Sequence, residues 1–187
     1  MTPDWIEVAG FLTGAVNVWL LARQNIWNWP VALINNAIYL TVFLRAGLYG
    51  DAGLQVLYAL FGIYGWWNWL HASAATQPLH VQRLTEKQWR WLGAATIAGA
   101  GTLALFLARA TDSTVPAGDG VTTALALAAT WCQSRKYLEC WWLWIAADII
   151  YIPLYGYKHL WLTAALYGIF MALCVVGLRS WKRELAQ

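Results

Sequence analysis

The chain of 187 residues is 60% apolar and only 11% charged, with fifteen tryptophans, three cysteines and a formal net charge of +3. An ordinary soluble domain, with about a quarter of its residues charged and spread over its surface, is excluded. So is a disulfide-built secreted scaffold, and the small basic excess gives no reason to invoke nucleic acid.

What remains is an all-α integral membrane protein. Seven apolar spans are predicted, at about 5 to 22, 30 to 46, 53 to 70, 91 to 108, 117 to 133, 140 to 157 and 160 to 178, near the lower end of the roughly 17 to 25 residues that cross a bilayer. Asp4 and Glu7 stand where a cleavable signal would be basic, so the first span is expected to remain as a helix. Gly10 and Gly14 give that helix a small-xxx-small contact face. Pro30 opens the second span, where its missing N–H costs nothing. The stretch from His71 to Arg90 is polar and basic enough for a loop, and Thr111 to Gly120, with Asp112, Pro116 and Asp119, reads as a short turn. Pro153 falls inside the sixth span, where it removes an intrahelical hydrogen bond and is expected to kink the helix. Cys132, Cys140 and Cys174 lack paired metal spacing and are expected to act as small hydrophobes, with no metal and no cofactor.

Lys and Arg divide unequally between the two sides of such a seven-span chain. Arg45, Arg109 and Lys158 fall on the N-terminal side, while Arg23, Arg83, Lys87, Arg90, Arg135, Lys136, Arg179, Lys182 and Arg183 fall on the other. Three against nine predicts an external N-terminus and a cytoplasmic C-terminus. Many tryptophans, among them Trp5, Trp27, Trp69, Trp89, Trp91, Trp161 and Trp181, stand at span ends, where amphipathic rings favour the interface.

The chain also repeats itself. Residues 19 to 69 align without a gap onto 131 to 181, and Trp19, Arg23, Trp29, Ile38, Tyr39, Leu48, Leu54, Gly65 and Trp69 recur 112 positions later. Three spans per repeat with one span between them return the chain to the same side, so the halves run parallel, as in transporters whose repeats are related by an axis along the membrane normal. The expected organisation is one transmembrane domain over 1 to 187: repeat one at about 5 to 70, a linking helix at about 91 to 108, and repeat two at about 117 to 181.

Trp141, Trp144, Asp148, Tyr151 and Tyr155 recur at steps of three or four and share one face of the sixth span; Trp29, Asn36, Tyr39 and Phe43 occupy matching steps in the second. An aromatic stripe of this kind is more often packing than a binding site. Asp148 shifts that balance, because it is the one carboxylate well inside a predicted span, where a charge costs about 2.5 to 3.5 kcal/mol and needs a partner or ligand. The bland alternative is an Asp hydrogen-bonded to Tyr or Asn across the bundle. Its repeat partner is Asn36, and Gln55 and Tyr167 form a further polar pair at the same offset, so a central polar site built by both halves is expected. Indole faces with a carboxylate suit a small, flat, cationic heteroaromatic ligand, whose amide or hydroxyl groups Gln, Asn and Tyr would orient.

The segments WNWPVALINNAIYLTVF, LYGDAGLQVLYALFGIYGWWNW, RKYLECWWLWIAADIIYIPLY and LYGIFMALCVVGLRSW resemble the PnuC family of bacterial nicotinamide riboside transporters across nearly the whole chain. The resemblance implies a seven-helix 3+1+3 fold in the bacterial inner membrane and a homotrimer. It also implies facilitated diffusion of an unphosphorylated vitamin precursor that a cytoplasmic kinase then traps. It places Trp141 and Trp144 on the W-x-x-W element, with their rings flanking the substrate. Asp148 departs from the Asn of the nicotinamide riboside branch; a carboxylate accepts but does not donate, and it suits an aminopyrimidine or a thiazolium, which makes thiamine the rival substrate.

Other classes find less support. A retinal protein needs a lysine in the last span, and span 7 has none; His71, His80 and His159 lie at span ends or in loops, away from any haem position. Neither a G-x-S-x-G elbow nor a second intramembrane aspartate points to an enzyme. A purely structural protein would leave Asp148 without a purpose.

Overall fold

The computed structural model describes residues 5–45, 49–74, 79–110, 115–157 and 161–186. These form seven α-helices: α1 (Trp5–Ala22), α2 (Asn28–Arg45), α3 (Tyr49–Ala74), α4 (Glu86–Ala110), α5 (Pro116–Ser134), α6 (Cys140–Tyr157) and α7 (Trp161–Glu184). No strand occurs among the described residues, and a single isolated parallel bridge joins Gln82 to Tyr137. Every predicted span has its helix, and those at 5 to 22 and 140 to 157 have the predicted limits. α3, α4 and α7 run longer where polar residues continue the helical hydrogen bonding. Thr85 and Gln88 form a capping box that starts α4 five residues before the apolar run: Thr85 N–H donates to Gln88 Oε1 at 2.8 Å and Gln88 N–H to Thr85 Oγ1 at 3.3 Å. α7 continues through Arg179, Lys182 and Arg183 to Glu184. α6 runs unbroken through Pro153.

The helices fall into two compact units, 1–80 and 81–187. In the first, α2 packs against both α1 and α3; in the second, α4, α5, α6 and α7 pack in sequence. The helix expected to link two repeats thus belongs to the second unit. Small residues explain its docking on α5, since a Cβ on Gly120 would lie 2.7 Å from the backbone N of Ala104 and 2.9 Å from the carbonyl oxygen of Ala100. The backbones meet where no side chain fits.

Within each unit the first two packed helices of the aligned segment turn a corner by the same construction. α1 ends in a Schellman motif in which Gln24 N–H donates to Leu21 O (2.8 Å) and Asn25 N–H to Leu20 O (2.9 Å). α5 ends with Lys136 N–H on Gln133 O (3.1 Å) and Tyr137 N–H on Cys132 O (2.9 Å). Gln24 (φ 53°) and Lys136 (φ 54°) hold the left-handed position that such caps usually give to glycine. Above each cap an arginine lies over an indole: Arg23 over Trp19 at 4.4 Å and Arg135 over Trp131 at 5.3 Å.

The second corner carries an additional strap. Gln82 N–H donates to Lys136 O at 3.1 Å, Leu138 N–H to Gln82 O at 2.9 Å, and Leu84 N–H to the buried Glu139 carboxylate at 3.1 Å. Burial at this corner pulls the Lys136 ammonium below the ordinary lysine range, an effect that the nearby Glu184 carboxylate partly offsets. Cys132, Cys140 and Cys174 are free thiols, all buried in the second unit.

Candidate functional site

The two tryptophans expected on the substrate faces at Trp29 and Trp141 are enclosed by their own units, at 1% and 0% exposure. Trp29 meets Trp69 edge-to-face, with centroids 5.5 Å apart and planes at 88°; Trp141 meets Trp181 in the same way, at 5.4 Å and 87°. Each ring fills the space left by a glycine: a Cβ on Gly65 would come within 2.6 Å of Trp29 Cζ3, and one on Gly177 within 2.6 Å of Trp141 Cζ3. The indole nitrogens of Trp29 and Trp141 are buried without an acceptor among the described residues. Shape holds these rings, and their place is in helix packing.

Asp148 lies in the middle of α6 at 4% exposure. Among the described residues its carboxylate receives one donor, the thiol of Cys174 on α7, at a sulfur–oxygen distance of 3.9 Å. A thiol is a weak donor, and a carboxylate has about four acceptor positions, so this buried group is under-satisfied. Where the bland alternative would pair Asp148 with a Tyr or Asn, the donor among the described residues is a cysteine. Trp144, one turn before Asp148, is half-buried, as is Tyr151, one turn after it. Tyr151 also meets Tyr167 of α7, with centroids 4.6 Å apart and planes tilted by 35°. The second unit thus brings together Trp144, Asp148, Tyr151 and Tyr167, and leaves Trp141 behind them in the packing.

In the first unit Asn36, Tyr39 and Gln55 are half-buried. Tyr39 stacks on Phe43 (5.9 Å, 26°) and lies against Gly10 of α1, where a Cβ would fall 2.9 Å from its Cζ. A polar contact between α1 and α2 comes from the neighbour of Asn36. Asn35 Nδ2 donates to Gly10 O at 2.6 Å and to Thr13 Oγ1 at 2.9 Å. On the same side of α1, Asn17 Oδ1 is buried with no donor among the described residues. Neither asparagine stands out in the sequence, since interhelical hydrogen bonding depends on helix rotation that no pattern of residue types records. Among the described residues no three His, Cys, Asp or Glu side chains are placed to hold a metal.

By length and composition alone α4 is the one helix among the described residues that qualifies as a membrane span; Val8–Ala22 and Cys140–Leu154 are shorter apolar runs. The model of a family described as nicotinamide mononucleotide transporter matches residues 4–183. The chain belongs to that family. Its helices are therefore those of a membrane transporter, and it is no enzyme. Among relatives of this nicotinamide mononucleotide transporter family member, the riboflavin/roseoflavin transporter RibM of Streptomyces davaonensis is 29% identical over 95% of the chain and 84% of its own length. The nicotinamide riboside transporter PnuC of Escherichia coli is 24% identical over 95% of the chain and 85% of its length. A crystal structure of the vitamin B3 transporter PnuC superimposes with a TM-score of 0.78 at 25% identity, covering 99% of this chain and 84% of that one. The resemblance read from the sequence and the seven-helix architecture both stand.

Proposed function

We propose that this transporter carries nicotinamide riboside by facilitated diffusion, and that a cytoplasmic kinase traps the vitamin by phosphorylation. The observation that carries the reading is Asp148, a carboxylate buried at mid-helix whose one donor among the described residues is a thiol at 3.9 Å. In a membrane such a group favours a ligand that brings positive charge and hydrogen-bond donors with it. A pyridinium carrying a carboxamide supplies both, and Trp144 and Tyr151 offer ring faces one turn to either side of Asp148. On this reading the protein is a homotrimer of the bacterial inner membrane with its C-terminus in the cytoplasm, as the likeness to PnuC transporters and the Lys and Arg distribution favour.

A second reading, riboflavin, is favoured by the likeness to RibM over 95% of the chain. Its flavin ring is larger and uncharged and would use Asp148 only as a hydrogen-bond acceptor. Calorimetric titration of the purified protein with nicotinamide riboside, riboflavin and thiamine separates the readings. Nicotinamide riboside is expected to bind tightest, with uptake into kinase-free vesicles levelling off at equal free concentrations with or without a pH gradient. Tighter binding of riboflavin or thiamine would replace the substrate, and proton-driven accumulation would overturn facilitated diffusion.

A further inference from the structure

We infer that Gly177 and Trp181 of α7 are positioning residues for the ligand-facing side of α6, acting through the buried ring of Trp141; the inference rests on seating the ligand against Trp144 and Asp148. Trp141 stands in the first turn of α6, and its ring occupies the volume that any side chain at position 177 would need. Trp181, one turn beyond Gly177, closes the pocket edge-to-face at 5.4 Å. The start of α6 is therefore keyed into the second half of α7 by one ring in one glycine gap. Trp144 and Asp148 lie three and seven residues further along α6, and the unbroken helix transmits any rotation or shift of its first turn to both.

Two features argue that the key sets geometry rather than touching ligand. Trp141 has no exposed surface, and its indole nitrogen meets no acceptor among the described residues, so fit alone defines where the ring sits. The first unit contains the same key, built from Trp29, Gly65 and Trp69 with centroids 5.5 Å apart and planes at 88°. Yet the residues one and two turns beyond it differ, Ala32 and Asn36 standing where α6 has Trp144 and Asp148. One scaffold is thus combined with two different sets of outward chemistry.

The test uses the full-length protein and four variants, titrated with nicotinamide riboside, or with riboflavin or thiamine if wild type binds one of those instead. Gly177→Ala forces the Trp141 ring out of place and should weaken binding about tenfold or more, since a site tolerates only about 0.5 Å of misplacement. Trp141→Phe alone should stay within about threefold of wild type, because the smaller ring still enters the gap. The double variant Gly177→Ala with Trp141→Phe should recover most of the loss, the shorter ring leaving room for the new methyl. Gly168→Ala, on the same helix with open space around its Cβ, should bind as wild type. The inference is overturned if Gly177→Ala binds normally, or if the double variant binds no better than the single one. It is equally overturned if Trp141→Phe, still folded, loses as much as Gly177→Ala, which would make Trp141 a ligand contact. Should Gly177→Ala fail to fold, a double variant that folds and binds near wild type supports the key, and one that folds without binding overturns it. A wild-type protein that binds none of the three vitamins overturns the transport reading and this inference together, whereas normal ligand binding by Gly177→Ala overturns only the latter.

Discussion

Asp148 is legible in the sequence because a carboxylate inside an apolar helix is costly, and the fold places it in the interior of its unit on the same helix as Trp144 and Tyr151. Its partner is not legible there, since nothing in the sequence relates Cys174 to α6. Removing the carboxylate should remove a charge-assisted hydrogen bond to the ligand, so Asp148→Ala is expected to weaken nicotinamide riboside binding about ten- to a hundredfold, equivalent to about 1.5 to 3 kcal/mol. Asp148→Asn should cost much less, because the amide regains a donor for the carboxamide oxygen as it loses the counter-charge. Wild-type affinity in the Ala variant, measured by the same titration, would move the ligand away from α6. Trp29 and Trp141 illustrate the opposite limit of residue-scale reading. Their recurrence at one offset and their helical spacing suit a binding face as well as a packing key, and only the glycines opposite them, far away in sequence, distinguish the two.

At the scale of helices, apolar runs locate all seven elements, while their ends depend on groups that hydropathy does not see. Thr85 and Gln88 start α4 through side-chain caps, and the α1 and α5 ends use left-handed caps without glycine, so the usual sequence signal for a helix stop is missing. A non-glycine residue in that conformation is strained by about 1 to 2 kcal/mol, part of which glycine returns as lost chain entropy. Gln24→Gly should therefore raise the stability of the detergent-solubilised protein by about 0.5 to 1 kcal/mol, read as a higher thermal midpoint. A lower midpoint would mean that the Gln24 side chain contributes contacts worth more than the strain. Lys136→Gly should gain less, because its ammonium is partly buried beside Glu184 and is removed along with the strain.

For the whole molecule, composition is enough to predict a helical membrane protein, and the family match places it among transporters. The grouping of α4 with the second unit is not legible in the sequence, because the glycine and alanine contacts that dock it on α5 look there like any small-residue run. Orientation rests on the distribution of Lys and Arg alone, and the burial of the three native thiols makes it directly measurable. Cys132, Cys140 and Cys174, at 0 to 3% exposure, are closed to bulky maleimides in the folded protein, so the natural chain is already a silent background for thiol labelling. A cysteine introduced at the exposed Arg83, outside any helix, becomes the single reporter. With a cytoplasmic C-terminus, Arg83→Cys in intact cells should resist a membrane-impermeant maleimide and react once the membrane is opened. Labelling of intact cells would invert the topology, without a single native cysteine having to be replaced.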